Sequence, residues 1–178
     1  GFRKALNLSD EDWLILQPTR IIPRKGIEHA VDLVCQLRSK ENHSKLKDRE
    51  VKLILSHPSG DEGDTYFKDL QKQAQECDVP LIYAADSMAA SELEAHNMGR
   101  FQLWDAYLNA DFVTYPSLIE GFGNAFLEAI FFRLPLLIRR YDVFISDIEP
   151  LGFDLVKFDQ EIDNGTVEEA IDVMTDPT

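Results

Sequence analysis

The strongest constraint on this chain is an alternation of two patterns. Short apolar runs recur as Trp13-Leu14-Ile15-Leu16, Val51-Lys52-Leu53-Ile54-Leu55, Pro80-Leu81-Ile82-Tyr83, Phe112-Val113-Thr114-Tyr115, Leu134-Pro135-Leu136-Leu137-Ile138 and Leu155-Val156-Lys157-Phe158. A strand with one wet face alternates apolar and polar residues. A mostly continuous apolar run is a strand covered on both faces, which is the habit of parallel sheets. Between the runs lie stretches of helical period. Residues 27–40 place Ile27, Ala30, Val31, Val34 and Cys35 on one stripe, widened by Leu33 and Leu37. Further helices are expected over residues 66–77, 101–109, 124–133 and 166–174, the last opened by Thr166 and Glu169 at capping-box spacing. Residues 41–50 and 86–100 read as polar and irregular, and residues 1–12 as a linker remnant without periodicity. The expected fold is α/β: a doubly wound, mostly parallel sheet with helices on both faces, formed by residues 13–178 as one domain.

Charge narrows the function. A net charge of −14 argues against nucleic acid, whose sequence-independent binding needs a basic surface, and equally against an anionic membrane. No apolar run approaches the roughly 18 residues of a membrane span, and no signal-peptide pattern is present. Cys35 and Cys77 form no Cys-x-x-Cys and read as reduced packing residues, which fits a cytoplasmic protein. No histidine or carboxylate cluster has metal-ligand spacing near the expected ligand edge, so no metal cofactor is expected.

In doubly wound sheets, ligands bind beyond the carboxyl ends of the strands. That selects the loops at 19–26, 57–64, 85–91 and 117–124. The first carries Arg20, Arg24 and Lys25 just before a helix start, where cations are unfavourable unless an anion compensates them. The last carries Glu120-Gly121-Phe122-Gly123-Asn124, whose glycines let the backbone approach a ligand before a helix opens. Glu128 sits on an otherwise apolar helix, is expected to be buried, and requires a partner: Arg133, Arg139 or Arg140, or else hydroxyls of a ligand. Phe122, Phe126, Phe131 and Phe132 are assigned to the core, and His57 to a turn.

Together these residues resemble a known family. Arg20…Lys25-Gly26, Asp105-Ala106-Tyr107…Ala110-Asp111 and Pro116-Ser117…Glu120-Gly121-Phe122-Gly123…Leu127-Glu128-Ala129 are similar to the C-terminal, nucleotide-binding domain of family-4 glycosyltransferases of the GT-B fold. The Glu120/Glu128 pair matches that family's Glu-x7-Glu motif. The resemblance implies retaining, metal-independent transfer of a hexose from a UDP-, GDP- or ADP-linked donor to an acceptor held by an N-terminal domain. It implies that Arg20 and Lys25 hold the donor diphosphate, Glu120 the donor sugar and Glu128 the ribose. The amides of Gly123 and Asn124 would face sugar or phosphate, within a donor site spanning Glu120, Gly121, Phe122, Gly123 and Asn124. The base would lie near residues 84–86, and this chain alone would transfer no sugar. The sequence departs from the family pattern at Thr19, at His57-Pro58-Ser59-Gly60 and at Arg139-Arg140-Tyr141-Asp142-Val143-Phe144. A nucleotide-sugar epimerase or sugar phosphorylase of the same fold, and a non-catalytic α/β binding module, are the alternative readings.

Overall fold

The computed structural model describes residues 1–59 and 64–176. The expected acidic loop at 61–64 therefore falls largely outside the described residues, as does Gly60. Strands β1 (Trp13–Gln17), β2 (Val51–Leu55), β3 (Leu81–Tyr83), β4 (Phe112–Tyr115), β5 (Leu136–Arg139) and β6 (Val156–Phe158) form one sheet in the order β3-β2-β1-β4-β5-β6. Every neighbouring pair is parallel. The strand order reverses between β1 and β4, and a crevice at such a reversal is where ligands bind in sheets of this kind.

The helices are α1 (Phe2–Ala5), α2 (Ile27–Leu37), α3 (Lys40–His43), α4 (Asp64–Glu76), α5 (Glu92–Met98), α6 (Leu103–Asn109), α7 (Asn124–Phe131) and α8 (Asn164–Thr175). Side chains along a strand point alternately to opposite faces, and β1 shows the consequence. Trp13 and Ile15 join a core with α2, α4 and α8, whereas Leu14 and Leu16 join a second core with α6 and α7. Both faces of the sheet are thus covered, which explains why the strands read as apolar runs.

Several local expectations change: α3 takes up part of the stretch expected to be irregular at 41–50, and α8 opens at Asn164 with Asp163, not Thr166, as its cap. Residues 1–12 pack against the domain: Phe2 and Leu8 are buried, and the Arg3 guanidinium donates to the carbonyls of Ser9, Asp12 and Asn109. Residues 86–100 contain α5, capped by the Ser91 hydroxyl, which accepts from the Glu94 amide, and ended by Gly99 at φ 64°. Its short, polar sequence carries little apolar period because no α5 residue is fully buried. Helix α7 ends at Phe131, and Arg133 closes it in the left-handed region at φ 55°. The aromatic assignments divide accordingly. Phe126 is fully buried and Phe132 packs against the core, but Phe122 and Phe131 are exposed. A helix lying on a sheet buries one stripe, so residues on its outer side stay wet however apolar they are.

Candidate functional site

The first cavity, about 430 Å³, lies at the strand-order reversal and is walled by Thr19, Arg20, Arg24, Lys25, His57, Tyr115, Glu120, Gly123 and Asn124, among others. Two buried polar side chains tie its strands together beneath it. Thr114 Oγ1 donates to Gln17 Oε1 over 2.7 Å, and Gln17 Nε2 donates to Thr19 Oγ1 over 2.8 Å. This relay links β4 to β1 and leads to the start of the Arg20 loop. A turn of 3₁₀ helix, Pro23–Lys25, then ends at Gly26 with φ 60°. A Cβ there would overlap the Pro116 carbonyl oxygen, so only glycine lets the two loops touch. The Leu118 amide donates to the Arg24 carbonyl over 2.9 Å, closing the contact between them.

Two of the cavity's cations converge on Glu120. Lys25 Nζ forms an ion pair with Glu120 Oε1, and Arg24 Nη1 reaches the same oxygen at 3.2 Å. Lys25 and Glu120 are both largely withdrawn from solvent, with side chains 12% exposed. Lys25 also lies 5.8 Å from the centroid of the Tyr115 ring. Burial, reinforced by the charge of Glu120, raises the Tyr115 hydroxyl above its ordinary pKa and keeps it a hydrogen-bonding group. His57 is held below its usual pKa by burial first and by Arg20 and Lys25 second. Arg20 is exposed at the rim. Gly123, at φ 80°, precedes α7, and a Cβ there would collide with the Tyr115 hydroxyl. The first amides of a helix lack intrahelical partners, so the α7 start adds free N–H groups to the same wall.

Glu128 has a different setting. It is half-buried and accepts a hydrogen bond from the Tyr107 hydroxyl of α6 at 2.8 Å. The arginines considered as its partners are engaged elsewhere or not at all: Arg140 binds Glu149 and Asp159, and Arg139 contacts His29. A second cavity, about 380 Å³, lies on the other side of Glu120 and is walled by Leu118, Ile119, Arg139, Arg140, Tyr141 and Asp142, among others. A third, about 450 Å³, is walled by Ser56, His57, Ala85, Met88, Glu94 and Arg100, among others.

Arg20, Lys25, Glu120, Gly123 and Asn124 thus share one cavity wall, while Gly121, Phe122 and Glu128 lie outside its lining. Gly121 contributes its carbonyl to the Tyr141 hydroxyl at 3.1 Å. Phe122 packs edge-on against Phe126. Sequence reasoning missed Gln17, Thr114 and Tyr115, which read as strand residues, and it placed His57 in a turn. The polar Gln17 and Thr114 inside two apolar runs were the available signal, because a buried polar side chain requires a partner. Among the described residues no cluster of three or more metal-ligating side chains occurs, and no helix is long and apolar enough to cross a membrane.

Comparison with known proteins bears on the family and the fold. Residues 2–172 match the model of the family described as glycosyl transferases group 1. The chain is 42% identical over 164 residues to the mannosylglucosylglycerate synthase of Petrotoga mobilis, a match covering 85% of this chain and 36% of that protein. It is 35% identical over 197 residues to the mannosylglucosylglycerate synthase of Thermotoga maritima, covering 99% of this chain and 44% of that protein. The chain therefore spans well under half the length of these relatives. An Anabaena protein crystallised in complex with UDP and glucose superposes with a TM-score of 0.62 at 16% identity, over 98% of this chain and 40% of that one. The fold is the Rossmann-like α/β fold found in GT-B glycosyltransferases, and the chain belongs to the group 1 glycosyl transferase family.

Proposed function

We propose that this chain is the donor-binding domain of a retaining hexosyltransferase that uses a nucleoside-diphosphate sugar. The observation that carries the reading is the convergence of Arg20, Arg24 and Lys25 with the α7 N-terminus in one cavity of a chain whose net charge is −14. Such a cation cluster against an acidic background suits a diphosphate. Lys25 and Arg24 rest on Glu120. An incoming diphosphate would compete for those cations and release Glu120, an acceptor-only carboxylate, toward the sugar hydroxyls. Glu128, beside Tyr107, would take the ribose.

In the transfer step the bond between the sugar anomeric carbon and the diphosphate oxygen breaks, and its electron pair stays on the diphosphate. The acceptor hydroxyl bonds to the same face of that carbon, and its proton passes to a leaving-group oxygen. Cations placed where this charge develops are the main catalytic contribution of Arg20, Arg24 and Lys25. They meet the leaving-group charge without a metal, so chelators should leave the reaction unaffected. The acceptor would be held mainly by a further, N-terminal domain, and the relatives' name points to a mannosyl donor and a glucosylglycerate acceptor. A cytoplasmic setting fits the free thiols Cys35 and Cys77.

Calorimetry of the chain with UDP, GDP and ADP and with their sugars tests the reading. Binding by one nucleoside diphosphate, lost on Arg20→Ala, supports it. Absence of binding by all of them at millimolar concentration removes it. In a form that turns over, the anomeric configuration of the product, read by NMR, tests retention.

A further inference from the structure

The second cavity, beyond Glu120, contains an uncompensated cation. Arg3, Arg38, Arg49 and Arg140 are half-buried, and each meets a carboxylate: Asp111, Glu50, Glu11 and Glu149 respectively. Arg139 is also half-buried, and it meets none among the described residues. Its one side-chain contact runs from Nη1 to His29 Nε2 at 3.4 Å. Burial, opposed by the charge of Glu28 and aided by Arg139, holds His29 below its ordinary pKa, and an imidazole, neutral or cationic, supplies no anion in either form. Accepting from Arg139 at Nε2 also leaves the proton on His29 Nδ1, which is buried and has no partner.

The other charges of the cavity wall do not repair this. Glu120 pairs with Lys25 and Arg24 rather than with Arg139, and under the proposed reading turns to the donor sugar when those cations are taken by the diphosphate, while Asp159 pairs with Arg140. Asp142 is exposed and in no ion pair among the described residues. Withdrawing a guanidinium from water without an anion is unfavourable, and its planar fork matches a carboxylate through two parallel hydrogen bonds. The segment Arg139-Arg140-Tyr141-Asp142-Val143 lines the cavity. Tyr141 fixes that segment by donating to the Gly121 carbonyl at 3.1 Å, on the same loop as Glu120.

We infer that Arg139 is the carboxylate subsite for the acceptor, and that the acceptor is a glycoside of a small hydroxy acid. This rests on the sugar-transferase reading, under which the donor phosphates occupy the neighbouring cavity across Glu120. The glycerate in the names of the two relatives' product is a carboxylate of this kind.

The test is an NMR titration of the isotope-labelled chain with glucosylglycerate, with glucosylglycerol lacking the carboxylate, and with inorganic phosphate. Glucosylglycerate should shift the amides of residues 139–143, and it should bind at least about tenfold more tightly than glucosylglycerol. Arg139→Ala should remove that difference and Arg139→Lys should restore part of it, while nucleoside diphosphate binding stays unchanged in both and certifies their fold. Three results overturn the inference: no binding of glucosylglycerate at high millimolar concentration, equal binding by wild type and Arg139→Ala, or weaker phosphate or nucleoside diphosphate binding in Arg139→Ala. Failure of every nucleoside diphosphate to bind the wild type sinks the transferase reading as well. Normal nucleotide binding without Arg139 dependence sinks only the carboxylate subsite.

Discussion

Glu120 and Glu128 are the same residue type on one loop-to-helix segment, yet their surroundings are opposite. Glu120 lies between two cations, Lys25 and Arg24, and forms ion pairs with both. Glu128 lies against a neutral donor, the Tyr107 hydroxyl, supplied by a helix on the same face of the sheet. Burial and the charge of Glu128 raise the Tyr107 hydroxyl above its ordinary pKa, so it remains a donor at any working pH. Under the proposed function, Glu120 would change partners on binding while Glu128 keeps its Tyr107 hydrogen bond. A motif of two identical side chains encodes two different devices, and the difference comes from the loops and helices that pack against each.

Lys25→Ala should produce the largest effect. Removing the cation should weaken nucleoside diphosphate binding about 10- to 100-fold, from the roughly 1.5–3 kcal/mol of a charge-assisted hydrogen bond, as read by calorimetry. Tyr107→Phe tests the other side of the comparison. Leaving a half-buried carboxylate without its donor should cost about 1–3 kcal/mol of stability in denaturant unfolding. An unchanged midpoint would show that water replaces the hydroxyl and that Glu128 is not held as described.

Glu120→Gln should act in the opposite sense to Lys25→Ala. Freeing Lys25 and Arg24 should tighten binding of a bare nucleoside diphosphate about three- to tenfold, on the order of 1 kcal/mol, while the sugar-linked donor gains less. Weaker binding of the bare diphosphate would contradict the partner exchange. The smallest effect concerns pH. His57 has a folded pKa below its ordinary 6.5, so the unfolded chain binds more protons as pH falls. Its contribution to stability is complete above 6.5 and declines as pH drops from there through the depressed folded value. Melting temperatures measured from neutral to mildly acidic pH should fall less steeply in His57→Gln than in wild type.

The sheet was legible because burial on both faces leaves its mark in each strand separately: β1 through β6 all begin from apolar runs. Loops facing the ligand edge were legible for a related reason, since strand ends and glycines mark them. Helix α5 was not, because a polar helix held by a serine cap and a terminal glycine has no apolar stripe to announce it. Phe122 and Phe131 were misplaced because hydrophobicity reports what a residue prefers, whereas Phe131 lies on the stripe of α7 turned from the sheet and Phe122 in the loop before that helix.

The sequence by itself determined the parallel α/β architecture and the family motif from which the proposed roles of Arg20, Lys25, Glu120 and Glu128 are drawn. Both are carried by local pattern. Only the tertiary structure decided partners. It put Lys25 on Glu120, Tyr107 on Glu128, the Gln17–Thr114 relay beneath the cavity, and Arg139 beside a neutral histidine. Partner choice depends on distances between elements far apart in the chain, and no local pattern carries that information.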